Sequence, residues 1–229
     1  MESSRSTFPA GNPRNTIGAM ADGLLFAYTD PGRVPLDEFH DWYDSEHGPA
    51  RLTVPGITAG YRFRALDEAA PPWLAIYETQ AGAVDSPEYQ ALAPSASARE
   101  KKVLADLALL DRRVYEQVSS DGAELERPGP VLMIVSMSVP TALEDDMAAW
   151  YAEEHIPMLL AAPGWQRIRR YRLCAGTAPA WLSLHDLASM DVFDTPEYKA
   201  AVSTPWRNRM VDSATARDKR VFGFHKSFG

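Results

Sequence analysis

Apolar positions come in short runs that proline and glycine punctuate. Leu24-Leu25-Phe26-Ala27-Tyr28, bounded by Asp30-Pro31-Gly32, has the length and the turn signal of a strand. Pro35 then stands where the first turn of a helix accepts proline, and Asp37 and Glu38 suit the positive end of the helix dipole. This pattern predicts a helix through His47 that stops at Gly48-Pro49. Strands follow over 57–66 and 73–79, then a short helix from Pro87, an amphipathic helix over 96–110 and a strand over 113–118. The rest of the chain repeats that order, with a strand over 131–139, a helix over 143–155 and strands over 167–174 and 181–187. Helices from Pro196 and Pro205 and a strand over 220–225 complete it. Each half therefore reads β-α-β-β-α-β, the order of the ferredoxin-like split βαβ unit.

The two readings agree because the residues themselves repeat. Trp42-Tyr43-Asp44-Ser45-Glu46-His47, followed by Pro49 and Pro55-Gly56, returns 108 positions later. The second copy is Trp150-Tyr151-Ala152-Glu153-Glu154-His155, followed by Pro157 and Pro163-Gly164. Tyr61-Arg62-Phe63-Arg64 answers Arg169-Arg170-Tyr171-Arg172, and Pro87-Glu88-Tyr89 answers Pro196-Glu197-Tyr198 with a one-residue shift. A period this long exceeds one supersecondary unit and reads as a duplicated domain. The expected division is a disordered tail over 1–20, a first half over 21–118, a linker over 119–130 and a second half over 131–229. Gly122, Pro128, Gly129 and Pro130 mark the linker.

A four-stranded sheet with helices on one face needs cover for the other, and two such sheets can supply it to each other. That arrangement, the Trp-Tyr-x-x-Glu-His-x-Pro signature and the later Pro-Glu-Tyr helix starts resemble the dimeric α+β barrel superfamily, most nearly its EthD-like branch. The resemblance covers 22–118 and 131–226. It implies an α+β fold in which two fused ferredoxin-like halves pack sheet to sheet as a pseudo-dimeric barrel. It does not choose an activity, since such barrels include cyclases, dehydratases, isomerases, cofactor-free monooxygenases and haem proteins.

Composition narrows the partners. An apolar share of 45% with 24% charged residues is that of a soluble globular protein. A formal charge of −8 argues against nucleic acid, which calls for a basic surface. Residues 1–20 carry no apolar run, so neither a secretory signal nor a membrane anchor is expected, and a cytoplasmic location is. Cys174, the single cysteine, excludes an internal disulfide and is expected in the core. The run Arg167, Arg169, Arg170, Arg172 is expected on an exposed strand edge.

Helical spacing places Leu36, His40, Tyr43 and His47 on one stripe facing the sheet, with Trp42 and Glu46 beside it as i,i+4 neighbours. The second copy offers Tyr151 and His155, with Trp150 and Glu154 beside them. A Tyr–His pair one turn apart can exchange protons in a pocket near neutral pH. The same histidines at helix ends can equally cap carbonyls. Two positions break the symmetry: His40 faces Ala148 in the other copy, and His185 replaces Tyr77. Candidate catalytic residues are therefore His47, His155, Tyr43, Tyr151, His40 and His185, with Trp42, Trp150, Glu46 and Glu154 as candidate substrate contacts. No HxH, HExxH, CxxC, GxGxxG, Walker A or GxSxG motif occurs, so no metal and no cofactor is expected. The expected function is a cofactor-independent lyase or isomerase, of dehydratase or cyclase type, acting on a small apolar aromatic or polyketide-like molecule. Its alternatives are a cofactor-free monooxygenase and a non-catalytic binder of an apolar ligand or haem. Either a monomer with an internal pseudo-dimer or a homodimer satisfies the sheet.

Overall fold

Strands buried on both faces carry continuous apolar runs, and the fold shows why these strands do. The computed structural model describes residues 23–228; the expected tail over 1–20 lies outside them. Eight strands are present: β1 (Gly23–Asp30), β2 (Ile57–Ala65), β3 (Trp73–Thr79), β4 (Leu109–Gly122), β5 (Val131–Ser138), β6 (Trp165–Ala175), β7 (Trp181–Leu187) and β8 (Ala216–Phe228). They close into one antiparallel barrel in the order β1-β3-β2-β8-β5-β7-β6-β4. The order within residues 23–122 is β4-β1-β3-β2, and within 131–228 it is β8-β5-β7-β6. Phe26, Leu74, Ile134, Leu184 and Phe222 fill the barrel interior, while alternate residues such as Leu25, Tyr77 and Met133 face outward into helix-covered layers.

Pairing across the two seams, β4 with β6 and β2 with β8, changes several expectations. β4 and β8 run to 14 and 13 residues because each continues along a strand of the other half. Ser119 to Gly122, expected in the linker, are strand residues paired with β6. β6 has neighbours on both sides, so its arginines lie on no edge: Arg169 and Arg170 are buried. Fully buried Asp186 accepts from the Gly129 N–H at 3.0 Å and from Arg167 Nε at 2.8 Å, and Arg169 reaches Glu78 of β3 at 2.7 Å. These pairs set opposite charges against each other inside the barrel, although Arg167 Nη2 and Arg169 Nε make no hydrogen bond among the described residues. Cys174, expected in the core, is exposed near the end of β6.

The helices depart from expectation in one respect that shapes the site. α1 (Leu36–Trp42) does not end at Gly48-Pro49; it passes through a π turn (Tyr43–His47) into α2 (Gly48–Leu52). The second half does the same with α5 (Glu144–Trp150), a π turn (Tyr151–His155) and α6 (Ile156–Leu160). The Gly48 N–H bonds the Tyr43 carbonyl and the Ile156 N–H the Tyr151 carbonyl, each five residues back. A proline in a regular helix clashes with the carbonyl four residues earlier, and the wider turn relieves that just before Pro49 and Pro157. Leu36, expected to face the sheet, is 57% exposed at the start of α1, where Phe39 and Trp42 are buried, and Tyr43 and His47 are buried as expected. The remaining helices are α3 (Pro87–Ser95), α4 (Ala98–Asp106), α7 (Pro196–Ala201) and α8 (Pro205–Asp212). No helix of the described residues is long and apolar enough to cross a membrane.

Removing the Asp186 carboxylate takes a partner from half-buried Arg167 and from buried Arg169, and leaves the Gly129 N–H without its acceptor. We expect Asp186→Ala to lose about 3–5 kcal/mol in urea unfolding, against less than about 0.5 kcal/mol for Cys174→Ser at its exposed position.

Candidate functional site

The second half holds a pocket between its sheet and its helices, with a cavity of about 50 Å³ open to water-sized molecules. Met133, Val135 and Met137 of β5 form the apolar floor, and Trp150, Tyr151 and His155 come from the π-turn helix. Leu159 of α6, Trp165 of β6 and Tyr198 of α7 close it further, Val202 just after α7 and Arg207 and Val211 of α8 line it, and β8 brings Arg217 and Lys219. The π turn puts the His155 ring flat against Trp150, with centroids 4.4 Å apart, and Tyr151 edge-on at 5.6 Å. His155 is only 9% exposed, and its Nδ1 has no hydrogen-bond partner among the described residues. Beneath Tyr151, the Arg170 guanidinium stacks 3.8 Å from the ring centroid.

The matching groups of the first half are already engaged. His47 Nδ1 bonds Glu100 Oε1 of α4 at 3.0 Å, and Arg51 lies 3.5 Å from the same oxygen. The Tyr77 hydroxyl donates to Tyr43 at 3.2 Å, and Phe228, from β8, stacks on Tyr43 at 6.1 Å. Gly48 is what admits Phe228, since a Cβ there would sit 2.8 Å from the ring. Arg62 stacks on Tyr43 at 4.2 Å as Arg170 does on Tyr151, but Arg62 also pairs with Asp44, where the second copy has Ala152.

The other sequence candidates scatter. His40 is not part of a His40–Tyr43–His47 triad: its Nδ1 meets Arg62 at 3.1 Å and its ring packs against Trp73 and His225. His185 does face the helices but does not line the pocket; it is buried edge-on to Trp165 at 5.4 Å, with neither ring nitrogen bonded among the described residues. Trp42 stands beside His47 at 4.4 Å, displacing the expected Trp42–Glu46 pairing through the extra residue of the π turn. Glu46 is half-buried, and Glu154 takes a hydrogen bond from the Thr204 hydroxyl at 2.6 Å. Met133, Met137, Trp165, Tyr198, Arg207 and Lys219 were not singled out in the sequence. No group of three or more His, Cys, Asp or Glu among the described residues has a metal-binding arrangement.

Burial dominates the electrostatics. It lowers the His155 pKa to about 3, with Arg207 and Arg170 acting in the same direction. It also lowers His47 to about 4, where the hydrogen bond to Glu100 opposes it. His185 is pushed well below its ordinary value, by burial first and then by His155 and Lys219. Burial would raise the Glu100 carboxyl, but His47 and Arg51 outweigh that and hold it below the usual carboxylate range. Both π-turn histidines are thus neutral at pH 7.

An unfolded chain protonates these histidines near 6.5, whereas the folded chain resists until about 4 at His47 and 3 at His155. The unfolded state therefore binds more protons in that window, and stability falls as pH drops from about 6.5 towards those values. Ring-proton NMR should show neither His47 nor His155 titrating above about pH 5, and urea unfolding should show the folded state weakening from pH 7 to pH 5.

No family model and no curated protein sequence matches the chain. Solved structures do. An anthrone oxidase-like protein superposes with a TM-score of 0.65 at 12% identity, over 92% of this chain and 95% of that one. A putative chlorite dismutase gives 0.57 at 14% identity, over 90% and 96%. A putative monooxygenase from Fusobacterium nucleatum subsp. nucleatum gives 0.56 at 7%, over 90% and 92%. At such identities the likeness shows the fold alone: the chain is built like dimeric α+β barrel proteins.

Proposed function

We propose that the chain is a small-molecule enzyme whose working pocket is the one in the second half, where His155 takes a proton from a small, largely apolar aromatic substrate. One observation carries this reading. His155 lines the pocket and its Nδ1 has no hydrogen-bond partner among the described residues, while the matching nitrogen of His47 is occupied by Glu100. Trp150, Trp165 and the β5 methionines offer apolar surface to a flat ring, and Tyr151 lies within reach of an oxygen on it. Neutral imidazole accepts a proton, and the substrate anion left beside it raises the basicity of the ring in the complex. The first half then acts as a buttress. In this reading the chain is a tandem duplication of an EthD-like, ferredoxin-like unit fused into a pseudo-dimer. The shared strand order and the π turn at the same place in both copies support it.

The reaction that follows proton removal is, in this proposal, an oxygen-consuming oxidation. The likeness to an anthrone oxidase-like protein and to a monooxygenase supports that choice. Molecular oxygen would convert a ring CH₂ to C=O, one oxygen atom being retained and the other leaving with the two hydrogens as water. The same proton step without oxygen gives dehydration, cyclisation or isomerisation, and the unpartnered Nδ1 supports that lyase or isomerase reading equally.

Oxygen uptake on adding an anthrone or a phenol, followed with an oxygen electrode, separates the two readings. With either, His155→Ala is expected to lower kcat/KM by about 10²–10⁴, while His47→Gln, in the buttress half, keeps turnover. Unchanged turnover in His155→Ala would sink the proposal.

A further inference from the structure

The two halves differ in charge at one position beside the histidine. Ser97 caps α4 by accepting the backbone N–H of Glu100, and Thr204 caps α8 by accepting that of Arg207. Two further pairs fix this register. Val103 and Met210, each three residues on, are both buried. Arg99 bonds Glu38 and Trp206 bonds Asp146, the matching acid of the other copy. Glu100 and Arg207 therefore hold the same place relative to their histidines. In the first half the Glu100 carboxylate sits between His47 Nδ1 and Arg51. In the second half Arg207 stands in place of that carboxylate and Leu159 in place of Arg51; Arg207, whose Nη1 donates to Asn208 Oδ1 at 3.1 Å, lines the pocket with His155, whose Nδ1 has no partner among the described residues. The lining adds Arg217 and Lys219 and includes no aspartate or glutamate, in a chain whose formal charge is −8.

We propose that the ligand of this pocket carries an acidic oxygen on an apolar, aromatic body, and that this oxygen takes the place of the Glu100 carboxylate, between His155 Nδ1 and the Arg207 guanidinium. This rests on the second-half pocket being the working one and adds the substrate class to that reading. The first half makes with its own residues the contact that the second half leaves to its ligand. A ligand arriving as the neutral acid passes its proton to Nδ1, and the imidazolium and Arg207 then flank the anion; one arriving as the anion is met by the guanidinium first. Charge-assisted bonds of this kind are stronger than neutral ones and select against an uncharged isostere. Lys219, tied to the Tyr198 hydroxyl at 2.9 Å, contributes field at the rim but no seat.

Calorimetric titration of the intact protein with benzoate and with benzamide tests this without any turnover. Benzoate is expected to bind at least about tenfold more tightly than benzamide. Arg207→Gln should remove that preference, Arg207→Lys should keep part of it, and Arg207→Glu, which rebuilds the first-half pair with His155, should abolish benzoate binding while the thermal midpoint is held. Lys219→Gln should weaken benzoate by less than about threefold, as expected of a screened rim charge. No preference for benzoate, including no detectable binding of either probe, overturns the proposal, as does a Lys219→Gln loss equal to that of Arg207→Gln. A benzoate preference that depends on Arg207, found together with unchanged turnover in His155→Ala, would leave the anion seat standing and remove the proton-transfer reading.

Discussion

An antiparallel sheet covered by helices on one side still has a second apolar face and two edges with unpaired backbone groups. Everything else in this molecule follows from how those are covered. The interior residues of β1, β3, β5 and β7 pack against one another across the barrel, and the β4–β6 and β2–β8 seams pair every edge. Closure removes edges outright, where an open sheet must defend them with charge or short strands. It also carries ion pairs across: Arg169, beside Asp186 of its own half, reaches Glu78 of the other, so its full set of partners needs both halves in place.

The helices respond to a second constraint, set by the Trp-Tyr-x-x-Glu-His-x-Pro stretch. A proline six residues beyond the tyrosine is tolerated because the turn ahead of it widens, and the widening brings tryptophan against histidine instead of glutamate. The motif thus encodes a local shape before it encodes chemistry. π turns recur at functional sites because they re-aim side chains, and here they aim one histidine into a pocket and the other at a carboxylate.

Much of the fold was legible in the residues. β3 and β7 match the expected 73–79 and 181–187 to the residue, since each is a dense apolar run directly after a proline-rich turn. The helix stop at Gly48-Pro49 was misplaced because a π turn leaves no mark in apolar periodicity. The lengths of β4 and β8 were missed because their partners lie in the other half, beyond any local signal. At the site, tyrosine, tryptophan and histidine were visible in the motif, but Arg207 was not. The first stretch between caps, Ser86 to Ser97, is longer than the second, Thr195 to Thr204, so a fixed period of 108 no longer aligns Glu100 with Arg207. Counting from the cap residues instead would have found it.

β8 is the strand that closes the first half as well as the second. Its end lies along β2, and Phe228 fills the layer over Tyr43 that Gly48 leaves open. β8 also leaves the ribosome after every other strand described. The half that is made first is therefore completed last: its β4 edge waits for β6, and its β2 edge and an aromatic slot wait for β8. Vectorial synthesis and final architecture run in opposite order here, because the last strand made closes the first half.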